Sequence, residues 1–156
     1  MTIVPARRAH LPALAALMSA SPLLRRYGVT APSARESLHE AFGNGDTLLI
    51  AVDGSTVLGL AWVIATTNAL DRSAYLRLLL VAPGQRSRGV GAALLSEAER
   101  RASMAGSRHM ILLVTTTNRR ARTFYVSRGY RYVGALPGFA RPRISEALYV
   151  KSMQRS

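Results

Sequence analysis

Between Leu76 and Gly91 the chain reads Leu-Arg-Leu-Leu-Leu-Val-Ala-Pro-Gly-Gln-Arg-Ser-Arg-Gly-Val-Gly. Its apolar run, stopped by Pro83-Gly84, is a buried strand. The apolar positions that follow, Val90, Leu94, Leu95, Ala98 and Ala102, recur at helical spacing. A strand thus feeds a helix whose first turn contains Gly89 and Gly91. The first N–H groups of a helix have no internal partner, and the aligned peptide dipoles place about half a positive charge at that end. Without side chains at the two glycines an anion can touch backbone there, and Arg86 and Arg88 add formal charge. The segment is built to hold phosphate.

Two common phosphate loops are excluded. A Walker loop needs Gly-Lys-Ser/Thr at the helix start, and the chain has no lysine before Lys151. A dinucleotide fold needs an acidic residue at the end of the next strand to hold a ribose hydroxyl, but the strand His109 to Thr115 runs into Thr116, Thr117 and Asn118. The remaining pattern, Arg86-x-x-Gly89-x-Gly91 after a strand, resembles the pyrophosphate loop of the GCN5-related N-acetyltransferases (GNAT), which hold acetyl-coenzyme A. Downstream, Asn118-Arg-Arg-Ala121-Arg-Thr-Phe124-Tyr125-Val-Ser-Arg-Gly129-Tyr130 is similar to that family's Asn-x-x-Ala-x-x-x-Tyr-x-x-x-Gly-Phe/Tyr signature. The two motifs cover Leu76 to Val133.

The resemblance implies a mixed α/β fold: a mostly antiparallel twisted sheet, a central parallel strand pair splayed apart at Val81 and Thr115, and helices on both faces. It implies that backbone at Leu79, Leu80 and Val81 pairs with the pantetheine arm in the gap like an added strand. One N–H there faces the thioester oxygen, a position where a preorganised donor supplies about 3 kcal/mol. Arg86, Ser87, Arg88, Gly89, Val90 and Gly91 would hold the pyrophosphate. Asn118 would bond the pantetheine or phosphate region, cap its own helix, or do both. Tyr125 would be the general acid for the departing thiolate, although Ala121, Phe124 and Tyr125 also form an apolar stripe suited to core packing. A phenol titrates near 10 and a thiol near 8.5, so full transfer runs uphill by about 2 kcal/mol and hydrogen bonding is the main contribution expected.

The amine must also lose a proton, at about 4.6 kcal/mol for an alkyl ammonium at pH 7. Many members of the family place a glutamate early in the strand leading into the loop, where this chain has Tyr75 and Arg77. The candidates for the base are water relayed along backbone carbonyls, His39, Glu40 and Glu146. The acceptor is expected against the early helices and the connection from Leu136 to Ser145. Pro-Gly-Phe-Ala in that connection resembles a loop of members that acetylate small amines, including the tabtoxin-resistance type. Phe139, Arg141 and Arg143 would contact substrate there or cover the sheet edge.

Composition bounds the alternatives. At 156 residues and 49% hydrophobic content the chain is expected to be a single domain, 1–156, with a sizeable core. With no cysteine it has no disulfide, thiolate zinc site or cysteine nucleophile. Its three histidines, His10, His39 and His109, show no metal-ligand spacing, so no metal is expected, and with no Gly-x-Ser-x-Gly elbow serine-hydrolase chemistry is not expected either. Arg7-Arg8 followed by Leu11 to Met18 imitates a secretory signal. Helical spacing there, and no run near the ~18 apolar residues of a span, favour a cytoplasmic protein with no membrane partner. The formal charge of +13 is the signature of a nucleic-acid binder. It is almost all arginine, scattered from Arg7 to Arg155, in the manner of coding bias. Arg119, Arg120 and Arg122 are assigned to coenzyme phosphates or solvent, and nucleic acid is not expected as a partner. A homodimer is left open.

The expected elements are a strand Thr2 to Arg7, a helix Leu11 to Ala20, a loop bracketed by Pro22 and Pro32, and a helix Ser33 to Phe42 ended by Gly43-Asn44-Gly45. Next come strands Leu48 to Val52 and Thr56 to Ile64 around an Asp53-Gly54 turn, and the strand Tyr75 to Val81. A helix Gly89 to Ala105, the strand His109 to Thr115, a helix Asn118 to Arg128 and strands Tyr130 to Leu136 and Ala147 to Lys151 complete the chain. The expected activity is acetyl-coenzyme A-dependent transfer to a primary amine of a small molecule by direct attack in a ternary complex. The alternatives are a protein N-terminal or lysine acetyltransferase, a non-catalytic acetyl-coenzyme A sensor and a basic nucleic-acid-binding protein.

Overall fold

A computed structural model describes residues 1–66, 70–86 and 88–153. Seven strands form one sheet in the order β1-β2-β3-β4-β5-β7-β6. They are β1 Thr2–Pro5, β2 Thr47–Asp53, β3 Thr56–Ala65, β4 Ser73–Val81, β5 His109–Thr115, β6 Arg131–Pro137 and β7 Ser145–Ser152. The helices are α1 Leu11–Ser19, α2 Pro22–Arg26, α3 Ala31–Asn44, α4 Val90–Met104 and α5 Arg119–Ser127. Among the described residues β4 and β5 are the parallel pair, joined through α4 as a parallel crossover requires. The chain divides into two compact units, Met1–Ile64 with Leu78–Arg100, and Ala65–Arg77 with Arg101–Ser156. β4 contributes to both.

In the first unit Leu48, Ile50, Leu60 and Trp62 on one face of β2 and β3 pack with Leu14, Met18, Leu38 and Ala41 of α1 and α3. Gly59 on the opposite face of β3 meets Val90 and Leu94 of α4, since neighbouring residues of a strand point to opposite faces. The Trp62 indole N–H donates to Asp46 Oδ2 at 2.9 Å, satisfying its polar atom in the core.

The prolines correct the expected loop. Pro22 opens α2, capped by the Ser21 hydroxyl, and Pro32 lies in the first turn of α3, capped by Thr30. Proline lacks only an N–H that a first turn leaves unpaired anyway, so it marks helix starts here. Helix α3 also runs through Gly43 and Asn44 and stops at Gly45, whose φ of 74° is left-handed. β1 ends two residues earlier than expected. The β2-β3 turn is Gly54-Ser55, because Asp53 pairs with Thr56.

In the second unit β4 and β5 pair from Ser73↔His109 to Leu76↔Leu112, although β4 continues to Val81 and β5 to Thr115. The parallel pairing therefore ends before either strand does. β5 then pairs antiparallel with β7 along its whole length, Thr115 opposite Glu146, and β6 closes the edge with Leu136 opposite Glu146.

Candidate functional site

The described residues of the expected anion site lie in the first unit. Leu78 and Leu80 pack onto the core, so Leu79 and Val81 point to the other face by alternation. β3 follows β4 past its end, with Ala82 N–H donating to the Leu58 carbonyl at 2.8 Å. The chain turns at Gly84, φ 82°, and enters α4 through Gly89, φ 78°. The first backbone bond of α4 runs from Ala93 N–H to the Gly89 carbonyl at 3.0 Å, which leaves the N–H groups of Val90, Gly91 and Ala92 without a partner inside the helix. Gly89 is needed for its left-handed backbone, and the space a Cβ would fill there is open. Arg86 and Arg88 are exposed beside it. Ser87, expected in the same loop, lies outside the described residues. Val90 is buried against Gly59, so only its backbone can serve a ligand. Bare amides, a helix start and two guanidinium groups fit a diphosphate.

One residue of this arrangement escaped the sequence reading. A Cβ on Gly59 would stand 2.7 Å from the Leu80 carbonyl oxygen and 2.9 Å from Leu94 Cδ1. Gly59 therefore sets how closely β3 approaches β4 and how deeply the first turns of α4 seat. A lone glycine inside an apolar strand is the signal for such an approach.

The second unit holds the other motif. Asn118 Oδ1 accepts from Ala121 N–H at 3.2 Å, so Asn118 caps α5. Arg122 is committed to structure: its guanidinium donates to the Tyr149 hydroxyl and to the Thr116 carbonyl, both at 2.9 Å, and covers the Tyr132 ring. Arg119 and Arg120 are exposed. The Tyr125 ring is 8% exposed and packs edge-on to Phe124 and Tyr130, centroids 5.2 and 5.6 Å apart. Burial pushes its phenol well above the ordinary tyrosine value, because a desolvated phenolate is costly. Tyr125 is both packed core and a phenol held protonated.

The candidate bases separate. His39 is exposed on α3, and its Nδ1 lies 3.1 Å from Arg8 Nη1. A guanidinium only donates, so Nδ1 is the acceptor and its lone pair is taken. Glu40 is an exposed α3 residue. Glu146 is buried, 4% exposed, on the face of the sheet that also carries Thr115 and, by register, Tyr75 and Arg77. Tyr75 senses both charges: burial raises its pKa first, Arg77 lowers it and Glu146 raises it. β4 lacks a carboxylate at this position, and the buried one on this face is two strands along, on β7. At the β6-β7 turn, Phe139, Arg141 and Arg143 are exposed, and Gly138 N–H donates to the Ile144 carbonyl. Phe139 is 64% exposed.

Among the described residues no group of three or more His, Cys, Asp or Glu side chains could hold a metal ion, and no helix is long and apolar enough to cross a membrane. The family model described as Acetyltransferase (GNAT) family matches residues 15–130, and the chain belongs to that family. Its members are acetyltransferases that draw the acetyl group from acetyl-coenzyme A. The fold is shared with an N-acetyltransferase from Staphylococcus aureus Mu50, at TM-score 0.83 and 16% identity, covering 98% of each chain. It is also similar to a ribosomal-protein-alanine N-acetyltransferase from Brucella melitensis, at TM-score 0.79 and 20% identity, covering 97% of this chain and 99% of that one. An aminoglycoside 6'-N-acetyltransferase complexed with coenzyme A aligns at TM-score 0.79 and 19% identity, over 100% of this chain and 99% of that one. No curated protein matches the chain.

Proposed function

We propose that this acetyltransferase acts on a primary amine of a small molecule by direct attack in a ternary complex. The observation that carries the reading is the passage of β4 through left-handed Gly89 into α4, flanked by Arg86 and Arg88. Acetyl-coenzyme A bound there supplies a thioester carbonyl for the amine and a sulfur leaving group. In the first unit the amides of Val90 and Gly91 hold the diphosphate, with Arg86 and Arg88 beside it. The half-buried backbone at Leu79, Leu80 and Val81 orients the arm and offers an N–H to the carbonyl oxygen. In the second unit Tyr125 keeps its proton and presents it to the leaving sulfur, while Asn118 fixes the start of α5 and borders the arm.

Within this reading Glu146 takes the proton of the acceptor ammonium. It is the candidate base that is buried, on the sheet face that also carries Thr115, Tyr75 and Arg77. The arginine-rich surroundings help from the other side, because positive potential lowers the pKa of a bound amine.

The test is calorimetric titration with coenzyme A, together with thiol release from acetyl-coenzyme A against amino acids, polyamines, aminoglycosides and short peptides. Arg86→Ala/Arg88→Ala should raise the coenzyme Kd by about tenfold or more, since one charge-assisted hydrogen bond contributes about 1.5–3 kcal/mol. No measurable coenzyme binding by the unaltered protein would refute the reading. With an amine that turns over, Glu146→Gln should lower kcat roughly a hundredfold. It should leave the coenzyme Kd in place. An unchanged kcat would take Glu146 out of the reaction.

A further inference from the structure

Counted over the whole chain, the excess of arginine looks diffuse. Counted by compact unit, it is concentrated. Residues 65–77 and 101–156 carry 13 Lys and Arg against two acids, a formal +11, whereas the other unit carries eight against six, a formal +2. The two acids do little to offset that charge at the surface. Glu146 is buried, and Asp71 is engaged by Arg108 at 2.7 Å. Nine arginines of the unit are exposed. A solvating surface intersperses both signs, and one of a single sign repels itself unless a counter-charge arrives.

The β6-β7 hairpin combines this charge with two exposed aromatic residues, Phe139 at the turn and Tyr132, one face of whose ring Arg122 covers. Tyr132 is 46% exposed and Phe139 is 64% exposed, on a strand and turn that also present Arg131, Arg141 and Arg143. Side-chain aromatics among arginines suit unpaired bases, which stack on a ring while the cations follow the phosphates. A duplex hides its base faces and a lipid headgroup has none.

We propose that the surface of this unit, centred on the β6-β7 hairpin, binds single-stranded nucleic acid. The assignment is independent of the acetyl-transfer chemistry. Neutralising about four phosphates of a single strand gives a slope of log K against log salt near −2.8, or roughly fiftyfold weaker binding from 50 to 200 mM salt.

Fluorescence anisotropy with a labelled 20-nucleotide oligouridylate tests it. Binding at micromolar protein in 50 mM salt is expected, weakening roughly fiftyfold at 200 mM. Arg131→Gln/Arg141→Gln/Arg143→Gln should weaken it at least tenfold, and so should Phe139→Ala. Arg7→Gln/Arg26→Gln/Arg35→Gln, which removes equal charge from the other unit, should leave it within about twofold. Thermal melting and the coenzyme Kd report whether each variant stays folded. The proposal is overturned if binding is absent at 100 μM protein, if both triple variants weaken it equally, or if Phe139→Ala has no effect. Tighter binding to a duplex of the same length, or to phosphatidylserine vesicles, would overturn it too.

Discussion

Tyr125→Phe should fold and bind coenzyme A as the unaltered chain does, yet turn over roughly a hundredfold more slowly. The substitution keeps the ring in its edge-on contacts with Phe124 and Tyr130 and removes only the hydroxyl. Because burial raises the phenol's pKa, the group stays protonated through the neutral and mildly alkaline range. In the proposed role it donates a hydrogen bond as negative charge builds on sulfur, so the loss should fall on kcat rather than on the KM for acetyl-coenzyme A. The same shift fixes a stability signature. A phenol whose folded pKa lies above its unfolded value near 10 contributes stability that is complete below pH 10 and is lost as pH climbs toward the folded value. Thermal melts of the two proteins should agree within about 1 kcal/mol at pH 7, with the variant gaining relative stability above pH 10. Unchanged turnover would leave Tyr125 as packing alone.

What could be read from the chain was whatever depends on neighbours in sequence. The bounds of β5 were legible because an apolar run lies between Gly106 and Asn118, two local signals with one meaning. The cap at Asn118 and the left-handed stop at Gly129 follow from short-range backbone rules in the same way. Where a local signal has two meanings the reading failed: Pro22 and Pro32 punctuate loops and helix starts alike, and only tertiary packing of α2 and α3 decides. Functional roles needed contacts distant in sequence. His39 could be set aside only once Arg8, 31 positions earlier, was seen on its Nδ1. Glu146 stood out only when register placed it opposite Thr115 and Leu136 and buried it.

Gly59→Ala tests the most exacting of these long-range contacts. The new Cβ would meet Leu94 Cδ1 at 2.9 Å and Val90 Cγ1 at 3.2 Å, methyl groups at the ends of side chains that can give way. It would also meet the Leu80 carbonyl at 2.7 Å, which is backbone and moves only if β4 moves. Overpacking of this kind costs about 1–3 kcal/mol, and the upper end is expected here because a sheet strand must shift. The shift falls between Leu79 and Val81, so the coenzyme Kd should rise at least tenfold even at temperatures where the variant is fully folded. Gly43→Ala is the control. Gly43 lies within α3 with nothing near the added methyl, and a glycine inside a helix costs about 0.5–1 kcal/mol relative to alanine. That substitution should therefore stabilise the protein and leave coenzyme binding alone. If Gly59→Ala were destabilising but bound coenzyme normally, the position of the Leu80 backbone would matter to the fold and not to the ligand. The role given to Leu79, Leu80 and Val81 would then have to be withdrawn.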